Sequence, residues 1–147
     1  MTLLSIAIAT ILSATAILHV IWALGAHWPA KDEQTLINTV IGGKNMTKMP
    51  GFWLTLSVAF GIAAAGIFAL WGAQVVTLPL PEWMRLTSLI VLSAIFLLRG
   101  VSSYLPFGPF QNSVEPFRTL DTRYYAPLIL MLGVGYLAIL LTSNHIV

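Results

Sequence analysis

Four stretches of this chain each run for about 20 residues with almost no charge, the length a helix needs to cross a hydrocarbon core of roughly 30 Å. They predict spans over residues 2–25, 52–76, 84–104 and 125–142. The fold class that follows is all-α, a polytopic membrane protein whose four transmembrane helices form one bundle over residues 1–147. Only 8% of the residues are charged and the mean hydropathy is +0.89, whereas a water-facing domain carries about a quarter charged residues.

The punctuation between the runs fixes the connections. The first run is longer than the roughly 7–15 apolar residues of a signal-peptide core and has no basic stretch before it. A retained helix is therefore expected, despite the small residues around Ala23-Leu24-Gly25, with Pro29 ending it. Residues 30–51 read as a polar connection. Within it Asp32 is placed to cap a short amphipathic helix carrying Leu36, Ile37, Val40 and Ile41 on one side. Such a helix would lie along the membrane surface; an ordinary loop is the alternative. Trp53 and Trp71 stand 18 residues apart, about 27 Å of helix, which matches the two interfacial aromatic belts, and Trp83 is assigned to a belt as well. Pro79 and Pro81 mark a tight turn. Residues 105–124 hold Pro106, Gly108, Pro109 and Pro116, while Pro127 is tolerable in the first turn of the last span.

Orientation follows from the basic residues. Lys31, Lys44, Lys48, Arg118 and Arg123 fall in the two long connections, against Arg85 alone on the opposite side. The long connections are thus expected in the cytoplasm and both termini on the outer side of the membrane. This topology brings distant polar residues to one end. His19 lies six residues before Gly25 and Arg99 five before Tyr104, so both reach a similar depth in the same leaflet. Trp22, three residues after His19, shares its helix face. The start of the last span adds Asp121, Arg123, Tyr124 and Tyr125. An ionisable residue inside a span calls for a partner; for Arg99 it is Asp121 first and Glu115 second, the alternative being a guanidinium that snorkels to the headgroups. The opposite end reads as bland. The candidate ligand-binding set is therefore His19, Trp22, Arg99, Asp121, Arg123 and Tyr125, with His27 and His145 as interfacial residues.

Many chemistries find no support. No carboxylate or second histidine stands three or four residues from His19, so no metal is expected. There is no phosphate-binding loop, no dinucleotide fingerprint and no zinc-protease motif, and no cofactor is expected. Ser5, Ser13 and Ser57 have no base near them in sequence and are expected to hydrogen-bond within or between helices. The chain has no cysteine, and a net charge of +2 without a basic patch does not suggest nucleic acid. Small residues recur every four positions at Ser5, Ala9 and Ser13, and again at Gly61, Ala65 and Ala69. Either these stripes are consumed inside the bundle, or one stays exposed and builds a small ring of copies, a trimer being the simplest.

The segment His19-Val20-Ile21-Trp22-Ala23-Leu24-Gly25, followed by Trp28, resembles the amino-terminal signature of the bacterial membrane family "domain of unknown function 3995". The segment Phe117-Arg118-Thr119-Leu120-Asp121-Thr122-Arg123-Tyr124-Tyr125-Ala126-Pro127-Leu128 resembles that family's carboxy-terminal signature. The resemblance implies a four-helix integral membrane protein and no particular activity.

The expected function is a non-enzymatic inner-membrane protein that supports the cell envelope, forms a small homo-oligomer and binds membrane lipid or a small amphiphile at its polar end. A carrier or proton-linked channel using His19 beside Arg99 and Asp121 is the alternative. It is weakened by the lack of polar lining elsewhere in the spans. A lipid-modifying enzyme with His19 or Asp121 as base stands third.

Overall fold

With no water in the bilayer core, each spanning segment must satisfy its backbone N–H and C=O groups internally, and the described residues accordingly form helices and no strands. The computed structural model describes residues 1–110 and 112–143; His145 lies outside them. The helices are α1 (Thr2–Ala23), α2 (Glu33–Val40), α3 (Phe52–Gly72), α4 (Glu82–Ser102), α5 (Phe117–Leu120) and α6 (Ala126–Ser143). A π-helical turn, Asp121–Tyr125, joins α5 to α6. The segments α1, α3, α4 and the continuous stretch Phe117–Ser143 are long and apolar enough to cross a membrane.

Several ends differ from the sequence reading. α1 stops before Pro29, because Gly25 adopts φ +87°. There the Gly25 N–H donates to Trp22 O at 3.0 Å and the Ala26 N–H to Ile21 O at 3.2 Å. This left-handed cap closes the helix before the proline can break it. α3 ends on the same pair of bonds, but with Gln74 at φ +56° where a glycine would be unstrained. The last span begins at Phe117, eight residues before the expected Tyr125, since α5 runs straight on through the π turn.

α1 packs along α3, and α4 along α6; the two pairs meet chiefly where α3 touches α4 and where α6 touches α1 and α3. Ile8 and Leu12 of α1, Ala65 and Ala69 of α3, Leu89 of α4, and Leu132, Tyr136 and Ile139 of α6 form the shared core. Small residues set the spacing. Ser5, Ala9, Ala65 and Ala69 are all buried, and a Cβ built on Gly66 would stand 3.5 Å from Ala9 Cα. The stripes are thus largely consumed between α1 and α3, leaving only Ser13 and Gly61 exposed. Between α4 and α6, a Cβ on Gly133 would lie 2.9 Å from the Leu97 backbone nitrogen, so nothing larger than glycine fits. Ser5 and Ser57 return their hydroxyls to carbonyls of their own helices, Thr2 O and Trp53 O.

Tyr136 is the one large polar side chain at the centre. Its hydroxyl donates to Ala65 O at 2.7 Å and its ring stacks on Phe96 with centroids 5.5 Å apart. Trp53 and Trp83 point outward, but Trp71 is only 5% exposed. It therefore belongs to the core and not to an aromatic belt: its place in the last turn of α3 faces inward, where its ring lies 5.9 Å from that of Phe68.

The short helix in the first connection forms as expected, with the Thr35 N–H donating to Asp32 Oδ1 at 2.8 Å. Its apolar face, however, is covered by protein. Leu36 and Ile37 are fully buried, and α2 packs against α5.

Tyr136→Phe removes one buried hydrogen bond with little change in volume and is expected to cost about 1 kcal/mol, read as a lower unfolding midpoint in detergent. The bond from Thr35 holds the Asp32 carboxyl below its ordinary 3.8. Its contribution to α2 is therefore present above that value and lost as pH falls through the lowered one; the Thr35 amide resonance followed against pH should titrate with a midpoint below 3.8.

Candidate functional site

Polar chemistry gathers where α4 ends and α5 begins. Arg99, in the last turn of α4, donates from its terminal nitrogens to Asp121 Oδ1 at 2.8 Å and to Ser103 Oγ at 2.6 Å. Its guanidinium lies 3.8 Å over the Phe110 ring. The Asp121 side chain is 2% exposed and that of Arg99 29%. Arg99 is thus tied to its expected first partner. Glu115, the second candidate, instead accepts the Thr119 N–H at the start of α5.

The π turn positions the carboxylate. Inward-facing residues in an α-helix recur every three or four positions, but in a π turn the spacing widens to five. Asp121 and Ala126, five apart, are both buried, while Arg123 and Tyr124 between them are exposed. An aromatic chain then links the site to the first connection. Phe110, Phe117 and Tyr125 follow one another with centroids 6.1 Å apart, and the Tyr125 hydroxyl donates to Thr39 O at 3.2 Å. Phe117 sits directly on Gly42, whose φ of +67° and missing side chain make room for the ring. The Val114 N–H donates to Gly42 O at 3.0 Å, so the two long connections clasp each other.

Beside the pair opens a cleft of about 140 Å³, whose walls include Ser103, Tyr104, Phe110, Arg118, Asp121 and Thr122. Tyr104 braces it by donating to Thr122 O at 2.8 Å. Arg118 is exposed and makes no salt bridge among the described residues. Pro106 and the other breakers of this connection show in the sequence, but Tyr104, Phe110 and Arg118 do not stand out there as wall residues.

The remaining expected site residues fall into separate places. Arg123 packs its guanidinium 5.7 Å from the Tyr124 ring on the outer surface. His19 and Trp22 contact each other, with ring centroids 4.9 Å apart. The His19 Nδ1 is 2.8 Å from Thr15 O, and since a carbonyl only accepts, this nitrogen is the donor. The Trp22 indole N–H donates to Trp28 O at 2.8 Å. α1 and α4 each pack on α3 and α6 and so stand across a diagonal of the bundle. No hydrogen bond or ring contact joins His19 or Trp22 to Arg99, Asp121, Arg123 or Tyr125 among the described residues. No three His, Asp or Glu side chains among those residues gather to hold a metal ion.

The opposite end is less bland than its sequence. Arg85 is 4% exposed, pairs with Glu82, and donates to Gly72 O at 2.9 Å. Ser143 Oγ donates to the same carbonyl at 3.1 Å. A guanidinium on a helix's last carbonyls satisfies acceptors the helix leaves open, and here it ties α4 and α6 to the end of α3. The spacing of Glu82 and Arg85, three apart on one face, was the available sequence signal.

The family described as "Protein of unknown function (DUF3995)" matches residues 12–136, a stretch that includes Arg99, Asp121 and the walls of the cleft beside them. No curated protein and no solved structure matches the chain.

Arg99→Ala leaves the Asp121 charge buried without its partner and is expected to cost about 3 kcal/mol. Replacing both partners by apolar residues of similar size should recover most of that loss. Unfolding midpoints of the single and double variants in detergent check both.

Proposed function

The chain belongs to the DUF3995 family, which brings no chemistry with it, and we propose from the geometry that it is a non-enzymatic protein of the bacterial cytoplasmic membrane. On this reading it binds the headgroup of a lipid or small amphiphile in the cleft between α4 and α5, and by holding lipid there supports the cell envelope. The observation that carries the proposal is Arg118: an exposed cation without a carboxylate partner among the described residues, on the wall of a cleft at the end of a membrane helix. Arginine at that depth attracts phosphate, and its planar fork matches phosphate oxygens. Arg123 and Tyr124 stand exposed one turn further on, with the amphipathic side chains favoured at headgroup level.

The basic residues of both long connections fall on this side, which favours the inner leaflet as the source of the headgroup. The cleft is built within one chain, so the reading needs no homo-oligomer. A channel along the bundle gains little support, because the shared core is mostly apolar and the hydroxyls buried among the spans, Tyr136, Ser93, Ser5 and Thr55, each donate to a backbone carbonyl. An enzymatic reading gains no more: Asp121 is paired with Arg99, and among the described residues no nucleophile–base pair stands beside it.

Native mass spectrometry of the protein released from bacterial membranes should find retained phospholipid. Arg118→Ala together with Arg123→Ala is expected to reduce it several-fold, about 1 kcal/mol or more for the lost phosphate contacts. Unchanged retention in the double variant would overturn the proposal.

A further inference from the structure

Asp121 has a second oxygen, and it is the part of the cleft that the fold leaves unused. Oδ1 takes the Arg99 guanidinium, whereas Oδ2 accepts no hydrogen bond from any described residue. Yet Asp121 is 1% exposed, and the little surface it keeps faces the cleft. An ionised carboxylate has about four acceptor positions. Among the described residues no side-chain oxygen or nitrogen is both sealed from solvent and without a partner, so Oδ2 keeps a little open surface, and there a ligand can supply the donor that the fold does not. Arg99 takes no part in the cleft lining. A ligand entering therefore meets the lone pairs of Asp121 and not the cation behind them.

The cleft is accordingly polarised. It presents a nearly buried acceptor, Asp121, and a free cation, Arg118, three residues earlier on the same helical stretch. Three residues of helix are about 4.5 Å along the axis. A ligand that complements this arrangement carries an N–H-bearing cation and a phosphate joined by a short bridge. Resting on the headgroup reading above, we infer that the cleft takes a zwitterionic aminoethyl phosphate, with its primary ammonium on Asp121 Oδ2 and its phosphate on Arg118. A purely anionic headgroup would turn its charge toward the carboxylate. A trimethylated ammonium has no N–H for Oδ2 and is bulkier in a cleft of about 140 Å³.

The test is a competition on the full-length protein in detergent, read by native mass spectrometry. Phosphatidylethanolamine, phosphatidylcholine and phosphatidylglycerol with identical acyl chains are offered in equal amounts. The expected result is retention of the primary amine about tenfold over its trimethyl analogue, the value of one charge-assisted hydrogen bond. Equal retention of the two, or a preference for the glycerol headgroup, overturns the inference and leaves the headgroup reading standing; no retention of any of the three overturns both. Asp121→Asn keeps an oxygen for Arg99 but offers an amide N–H to the cleft, so the amine preference should vanish. If a folded Asp121→Asn protein keeps that preference, the inference is wrong. Arg118→Ala should lower retention of all three lipids by similar factors. The comparison on the unaltered protein decides the matter even where the Asn variant does not fold.

Discussion

The ion pair between Arg99 and Asp121 organises one whole end of this protein. Two charges taken from water recover their desolvation cost only when their geometry is good and further hydrogen bonds are made. Arg99 meets that condition threefold, with the carboxylate, the Ser103 hydroxyl and the Phe110 ring. Each of these belongs to a different part of the chain, so satisfying the guanidinium also fixes where α4 ends, how the following connection folds back, and where the last span begins. From Phe110 the order passes through Phe117 and Tyr125 to α2, which explains how a helix of eight residues comes to have its apolar face covered.

The two polar ends solve the same problem differently. Arg85 is more deeply buried than Arg99, but its donors go to Glu82 and to a helix-terminal carbonyl. What it secures is the end of α3. At the α4–α5 end the pair leaves one oxygen of a nearly buried carboxylate uncommitted beside a cleft; the cleft beside Arg85, of about 220 Å³, has no buried carboxylate in its wall.

The four spans were legible because membrane length and low charge admit few other readings, and the partner of Arg99 was legible because topology alone brings Asp121 to its depth. The Asp32 cap could be read locally, from one side chain and the helix it begins. What escaped the sequence depends on packing between segments. Trp71 sits where a belt residue would, and only the inward rotation of α3's last turn makes it core. Pro29 is a strong breaker, but Gly25 acts first through a backbone conformation that composition does not reveal. The π turn leaves no mark in residue type. It displaced the start of the last span by a full two turns, and with it Arg118 and the cleft wall. The set of six candidate site residues treated one end of the bundle as one place, while the diagonal arrangement of α1 and α4 gives His19 and Trp22 their own.

The pairing of helices bears on how such a chain is made. α1 finds its main partner in α3, the next span to be synthesised, and α4 finds its own in α6. Each half is a closely packed helical pair, and the two halves meet through Leu89, Ile139 and Tyr136. The fold thus divides into two modules at the proline turn between α3 and α4, and severing that turn would leave each helix covalently joined to its closest packing partner.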